Sequence, residues 1–128
     1  MPGRRAAIDH LTIGVSDLER SRAFYEAALA PLGMTHTQTS GVLPQEVEFG
    51  TESEHPFAIS TAYPSGAPVH VAFGADSVEQ VRAFYEAALA AGGSDNGAPG
   101  ARPEYSPGYY GAFVLDPDGH NVEAVTRV

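Results

Sequence analysis

Apolar residues along this chain fall into two matching blocks. In the first, Leu11, Ile13 and Val15 alternate with His10, Thr12 and Gly14, the period-two pattern of a strand with one side turned to a core. The alternation returns where Val69, Val71 and Phe73 interleave with His70, Ala72 and Gly74. Each block runs straight into a helix signal. Ser16 with Glu19 and Ser77 with Gln80 have capping-box spacing, and good helix formers continue to Ala30 and to about Ala91. Pro31 and the Gly92-Gly93 pair stop the two helices.

The helical stretches are copies. Arg22-Ala23-Phe24-Tyr25-Glu26-Ala27-Ala28-Leu29-Ala30 recurs as Arg82-Ala83-Phe84-Tyr85-Glu86-Ala87-Ala88-Leu89-Ala90, an offset of 60 that also maps His10 onto His70 and Glu19 onto Glu79. Such self-similarity reads as duplication. Short β candidates follow each helix: Val47 to Gly50 and Phe57 to Thr61 in the first copy, Tyr109 to Leu115 and Asn121 to Thr126 in the second. The last two are joined by Asp116-Pro117-Asp118-Gly119, a strong turn signal. Gly92 to Gly108, rich in Gly and Pro, reads as a long loop, and Pro64 to Pro68 as the linker between copies. The expectation is one α+β domain over 1–128, with module 1 at about 6–63 and module 2 at about 67–127. Helices cover one face of a mixed sheet, and both strand histidines lie on the other.

Composition narrows the function. The 7 basic and 16 acidic residues give a net charge of -9, which opposes a nucleic-acid partner. An acidic surface suits a cationic ligand but more often serves solubility. No apolar run is long enough for a membrane span, and Asp9 and His10 interrupt the stretch a signal peptide needs after Met-Pro-Gly-Arg-Arg, so the expected location is cytoplasmic. With no cysteine, disulfides, thiolate metal sites and cysteine nucleophiles are excluded.

Three residues are the candidates for chemistry. His10 and His70 are equivalent under the repeat. Glu123 lies between Val122 and Ala124, so alternation puts it opposite their face, where a carboxylate is costly unless paired or bound to a metal. Two imidazoles and a carboxylate with open positions remaining form the ligand set of many divalent-metal catalysts. The opposing reading is a hydrogen-bonded interior histidine and a solvated glutamate. His36 and His55 are read as surface residues, His120 as a turn histidine or a support for Glu123, and Tyr105, Tyr109 and Tyr110 as packing residues or the lining of a pocket.

Ile8 to Leu18, Arg22 to Tyr25, His70 to Phe73, and Phe113 to Glu123 with its Asp-Pro-Asp-Gly turn together resemble the glyoxalase/bleomycin-resistance/extradiol dioxygenase (vicinal oxygen chelate) superfamily. The resemblance implies two tandem βαβββ modules forming a cup-shaped half-barrel with helices on the outer face, and a homodimer. It implies a divalent metal ion (Zn, Ni, Mn or Fe) held by His10, His70 and Glu123 within one chain or between two, and a small oxygen-chelating substrate. Aligning the last strands of the copies puts Ala58 where glyoxalase I-like relatives carry a second carboxylate, which argues against that activity. Arg127 is all that stands for the basic tail of fosfomycin transferases, and extradiol dioxygenases are about twice as long. The alternative is a metal-free small-molecule-binding protein of the bleomycin-resistance kind.

Overall fold

The computed structural model describes residues 7–41 and 43–128; the basic start and the first residue of module 1 lie outside them. The elements run β1 (Leu11–Gly14), α1 (Leu18–Leu29), a 3-10 turn (Ala30–Leu32), β2 (His36–Thr39), β3 (Glu46–Gly50), β4 (Phe57–Ser60), β5 (His70–Gly74), α2 (Val78–Ala90), β6 (Ser94–Ala101), β7 (Tyr109–Leu115) and β8 (Asn121–Arg127). Each half folds as βαβββ into its own four-stranded sheet, ordered β1-β4-β3-β2 and β5-β8-β7-β6. In both, the first strand pairs parallel with the last and the other pairings are antiparallel. The two sheets form an open, cup-shaped α+β architecture.

The repeated nonapeptides are helical in both copies because their apolar residues recur every three or four positions. Ser21, Phe24, Tyr25, Ala28 and Leu29 are buried on α1, and Val81, Phe84 and Ala88 on α2. They meet Ile13, Val47, Phe49, Phe57, Ile59, Val114, Val122 and Ala124 in one core shared by the halves. Each buried Phe contributes about 1.5–3 kcal/mol by leaving water. Leu11 and Val69, expected against the helices, are 40% and 41% exposed. They stand at the strand starts, beyond the helical cover.

Four local expectations change. Gly92 to Gly108 is not all loop: Ser94–Ala101 forms β6, an edge strand with register shifts around Gly97, and bulged edges tolerate the Pro99 and glycines that disguise it. The all-polar His36–Thr39 forms β2, also an edge strand, with little alternation to betray it. The N-cap of α1 is Asp17, accepting from the Arg20 N–H at 3.1 Å, not Ser16. Ser77 does cap α2, but the Gln80 side chain accepts from the Asp76 N–H, one residue earlier than a capping box requires.

The β7–β8 turn explains Ser16. The Asp118 carboxylate accepts from the Ser16 N–H at 3.2 Å and from the Ser21 hydroxyl at 3.4 Å, so a turn of the second half caps the β1–α1 junction of the first. Asp116 accepts the Tyr25 phenol at 2.5 Å and the N–H groups of Asp118 and His120 at 2.9 and 2.8 Å. Burial first, then the Asp116 charge, pushes the Tyr25 phenol well above its ordinary value. His120, 1% exposed, accepts the Val69 N–H on Nδ1 at 3.0 Å, which leaves Nε2 to donate to the Gly14 carbonyl at 2.7 Å. The motif is a polar clamp between halves.

Tyr25→Phe removes the donor from a buried carboxylate and is expected to cost about 1–3 kcal/mol. Urea denaturation reads this as a lower midpoint at unchanged slope. A loss of only a few tenths would show that the Tyr25–Asp116 bond holds nothing together.

Candidate metal centre

On the second sheet, alternation puts His70 and Ala72 of β5, Tyr109, Gly111 and Phe113 of β7, and Glu123 of β8 on the side away from the helices. Ala72 and Phe113 are the register partners of Glu123. Glu123 is 1% exposed, and both its oxygens are engaged. Oε1 lies 2.8 Å from His70 Nε2, and Oε2 accepts the Tyr109 phenol. Burial, then the bond to Glu123, pushes the Tyr109 phenol up to about 12. It is therefore a proton donor across the ordinary pH range.

Gly111 makes this contact possible. A Cβ there would lie 3.3 Å from both Glu123 Oε2 and Tyr109 Cε1, tight against the carboxylate and the ring that reaches it. Tyr109 is further held by the Arg127 guanidinium 5.0 Å above its ring and by an edge-on contact with Tyr105 at 5.1 Å. Arg102 covers the Phe113 ring at 5.5 Å and donates to the Ala98 carbonyl at 2.7 Å, so a guanidinium borders the site. An apolar cavity of about 250 Å³ adjoins it through Ala72, lined also by Ile8, Leu11, Phe57, Val71 and Phe73 where the free edges of β1 and β5 approach.

Two of the three expected ligands therefore meet. Cis donors about 2.1 Å from one ion lie about 3 Å apart, which the His70–Glu123 pair matches, with Tyr109 orienting the carboxylate from outside. His10 stands apart: its side chain is 63% exposed and pairs with Asp9 at 2.9 Å, and that hydrogen bond raises its pKa above the ordinary imidazole value. Among the described residues no three His, Asp or Glu side chains group as a metal site. His120 belongs to the clamp rather than to Glu123. Sequence reasoning named Tyr109 only as a packing or pocket-lining residue and missed its bond to Glu123. Its signal was a spacing of two, Tyr109-Gly111-Phe113, on the strand that faces Glu123.

The first half carries a different set on the equivalent face. Ala58 pairs with Thr12 as Glu123 pairs with Ala72, so it occupies the Glu123 position and offers no ligand. Its other register partner, Glu48, accepts from the Gln38 side-chain amide at 2.8 Å. His36 and His55 are not independent surface residues: both are half-buried, with ring nitrogens 2.8 Å apart.

Paired βαβββ halves around an open cup, with a buried carboxylate and a histidine on the inner face, define a class of small two-module α+β domains. The chain belongs to the Glyoxalase/Bleomycin resistance protein/Dioxygenase superfamily, which it matches over residues 7–124. A glyoxalase/bleomycin resistance protein from Albidiferax ferrireducens T118 shares 31% identity and superposes with a TM-score of 0.82, over 95% of this chain and all (100%) of that one. A glyoxalase/bleomycin resistance protein/dioxygenase family enzyme from Burkholderia phytofirmans PsJN has the same fold at 21% identity and a TM-score of 0.72, over 96% and 100% of the chains. So does a lactoylglutathione lyase from Agrobacterium tumefaciens, at 20% and 0.68 over 95% and 94%. No curated protein is detectably similar to the chain. Among the described residues no helix is long and apolar enough to cross a membrane.

Glu123→Gln should bring the Tyr109 phenol down from about 12 but not back to 10, because burial, the larger cause, remains. The folded value is raised, so the stability it contributes is present below pH 10 and is lost as pH rises towards about 12. Absorbance titration of the wild type and Glu123→Gln, each against its Tyr109→Phe counterpart, isolates this phenol. Identical curves would mean that Tyr109 does not bond Glu123.

Proposed function

We propose that the protein is a metal-dependent enzyme in which His70 and Glu123, with His10 from a second copy of the chain, hold a divalent ion (Zn, Ni, Mn or Fe) for a small oxygen-chelating substrate. The observation that carries the reading is the buried Glu123 carboxylate set 2.8 Å from His70 and braced by Tyr109. When bound, the ion would act as a Lewis acid on neighbouring substrate oxygens. Tyr109 keeps the carboxylate oriented and retains a proton at its hydroxyl. Arg102 offers a substrate oxyanion a charged partner beside the site, and the adjoining apolar cavity has room for a small apolar substituent.

The two-chain arrangement accounts for His10. It lies apart from the pair within its own chain, on the approach to β1, and among the described residues β1 and β5 each leave one edge unpaired beside exposed Ile8, Leu11 and Val69. Such edges favour pairing with another copy. A homodimer that joins the first half of one chain to the second half of its partner brings His10 to the partner's pair by the symmetry of the repeat. Within this reading the single domain comprises the two modules at about 6–63 and 67–127, and the protein works in the cytoplasm.

The alternative is a metal-free small-molecule-binding protein in the same cup. It is favoured by one observation: Glu123 is already fully hydrogen-bonded by His70 and Tyr109, with no ion required.

The test is metal analysis and subunit complementation. Glu123→Gln should leave the fold intact and lower metal content severely, and His10→Ala should do the same. Refolding a mixture of His10→Ala chains with Glu123→Gln chains should restore about a quarter of the sites, because half of a random mixture is heterodimer and each heterodimer regains one complete site of two. A monomer by light scattering would overturn the two-chain site. Protein that takes up none of the four ions at micromolar concentration would leave the metal-free binder.

A further inference from the structure

We infer that His36 and His55 form a second metal site in the first half of the chain, distinct from the one at Glu123 and suited to a divalent ion that prefers right-angled nitrogen donors. His36 Nδ1 and His55 Nε2 lie 2.8 Å apart, on half-buried rings whose planes are inclined at 55°. Two imidazole nitrogens at about 2.0–2.1 Å from one ion are about 2.9 Å apart at a right angle and about 3.3 Å apart at the tetrahedral angle. The observed separation matches the right angle. Copper(II) and nickel(II) take that geometry with nitrogen ligands, whereas zinc favours the tetrahedron.

The backbone holds the pair in place. His36 begins β2 opposite Gly50, the last residue of β3, so the two point to the same side of the sheet. A Cβ at Gly50 would run into the Glu54 carbonyl and come within 2.8 Å of His55 Cα. The chain after β3 therefore folds directly over Gly50, which only glycine permits, and delivers His55 to His36. The fold-back is fixed by the Thr51 N–H donating to the Glu54 carbonyl at 2.8 Å, and by the Thr51 hydroxyl accepting the Glu54 N–H at 3.2 Å. Glu52 and Glu54 are exposed on this loop and add negative potential near a cation.

Loading changes no net charge on the rings. Whichever imidazole donates in the present hydrogen bond moves its proton to its outer nitrogen, and both inner nitrogens then face the ion as lone-pair donors. Two protein ligands leave the remaining positions to water or to donor atoms of a small molecule.

The test uses the full chain carrying His70→Ala and Glu123→Gln, which dismantles the other donor pair, titrated calorimetrically with Ni2+ or Cu2+ in a non-chelating buffer. One equivalent should bind per chain, and adding His36→Gln or His55→Gln should weaken it at least tenfold. Gln keeps a polar group in each position, and circular dichroism checks the fold. A titration unchanged by both substitutions would overturn the site. Independently of those two variants, substoichiometric Cu2+ should broaden the ring resonances of His36 and His55 together and before that of His120. Broadening of His10 alone would overturn it as well.

Discussion

The buried clamp between the Asp116–His120 turn and the β1–α1 junction fixes everything else. Among the described residues the two sheets share no hydrogen-bonded strand pair. Their relation rests on apolar packing of the helices, which is non-directional, and on this group of directional bonds. Asp116 meets Tyr25, Asp118 meets Ser16 and Ser21, and His120 meets both Gly14 and Val69. The acceptor on His120 holds the residue just before His70, and β8 begins just after His120, at Asn121, two residues from Glu123. One turn thus sets the relation of the halves and the entry of both strands that carry the candidate metal pair.

Much of this was legible in the sequence, for identifiable reasons. The nonapeptide repeat exposed the duplication, and start signals at Ser16 and Ser77, good helix formers and the stops at Pro31 and Gly92-Gly93 gave both helices. Pattern reading found β1 and β5 by period-two alternation, and β3, β4, β7 and β8 as short β candidates beside turn signals. It missed β2 and β6 because edge strands answer to fewer neighbours: His36–Thr39 has no apolar face, and β6 absorbs Pro99 and two glycines through its bulges. The cap at Asp17 was displaced by a residue a hundred positions away, Asp118, which local spacing does not record.

The site was legible by type more than by contact. That Glu123 would face away from Val122 and Ala124 followed from alternation. That Tyr109 would hold it did not, because the contact depends on the missing side chain of Gly111 between them on the same face. His36 and His55 were unreadable for the same reason: their meeting depends on a chain reversal over Gly50. In both halves a glycine on the inner face makes room for a close approach: at Gly50 any side chain would exclude it, and at Gly111 a Cβ would be tight against it. In one it admits a phenol, in the other a segment of backbone.

This makes the two halves alike in frame and unlike in chemistry. The register that sets Glu123 beside Ala72 sets Ala58 beside Thr12, so the carboxylate present in one copy is a methyl group in the other. The polar pairs of the first half lie further out across the sheet, Glu48 with Gln38 and His36 with His55 near its far edge. The core does not register this change, because the inner-face side chains alternate with those packed under the helices. A strand face can therefore exchange its ligands without repacking the other, and a duplicated βαβββ frame can carry two different donor sets at once.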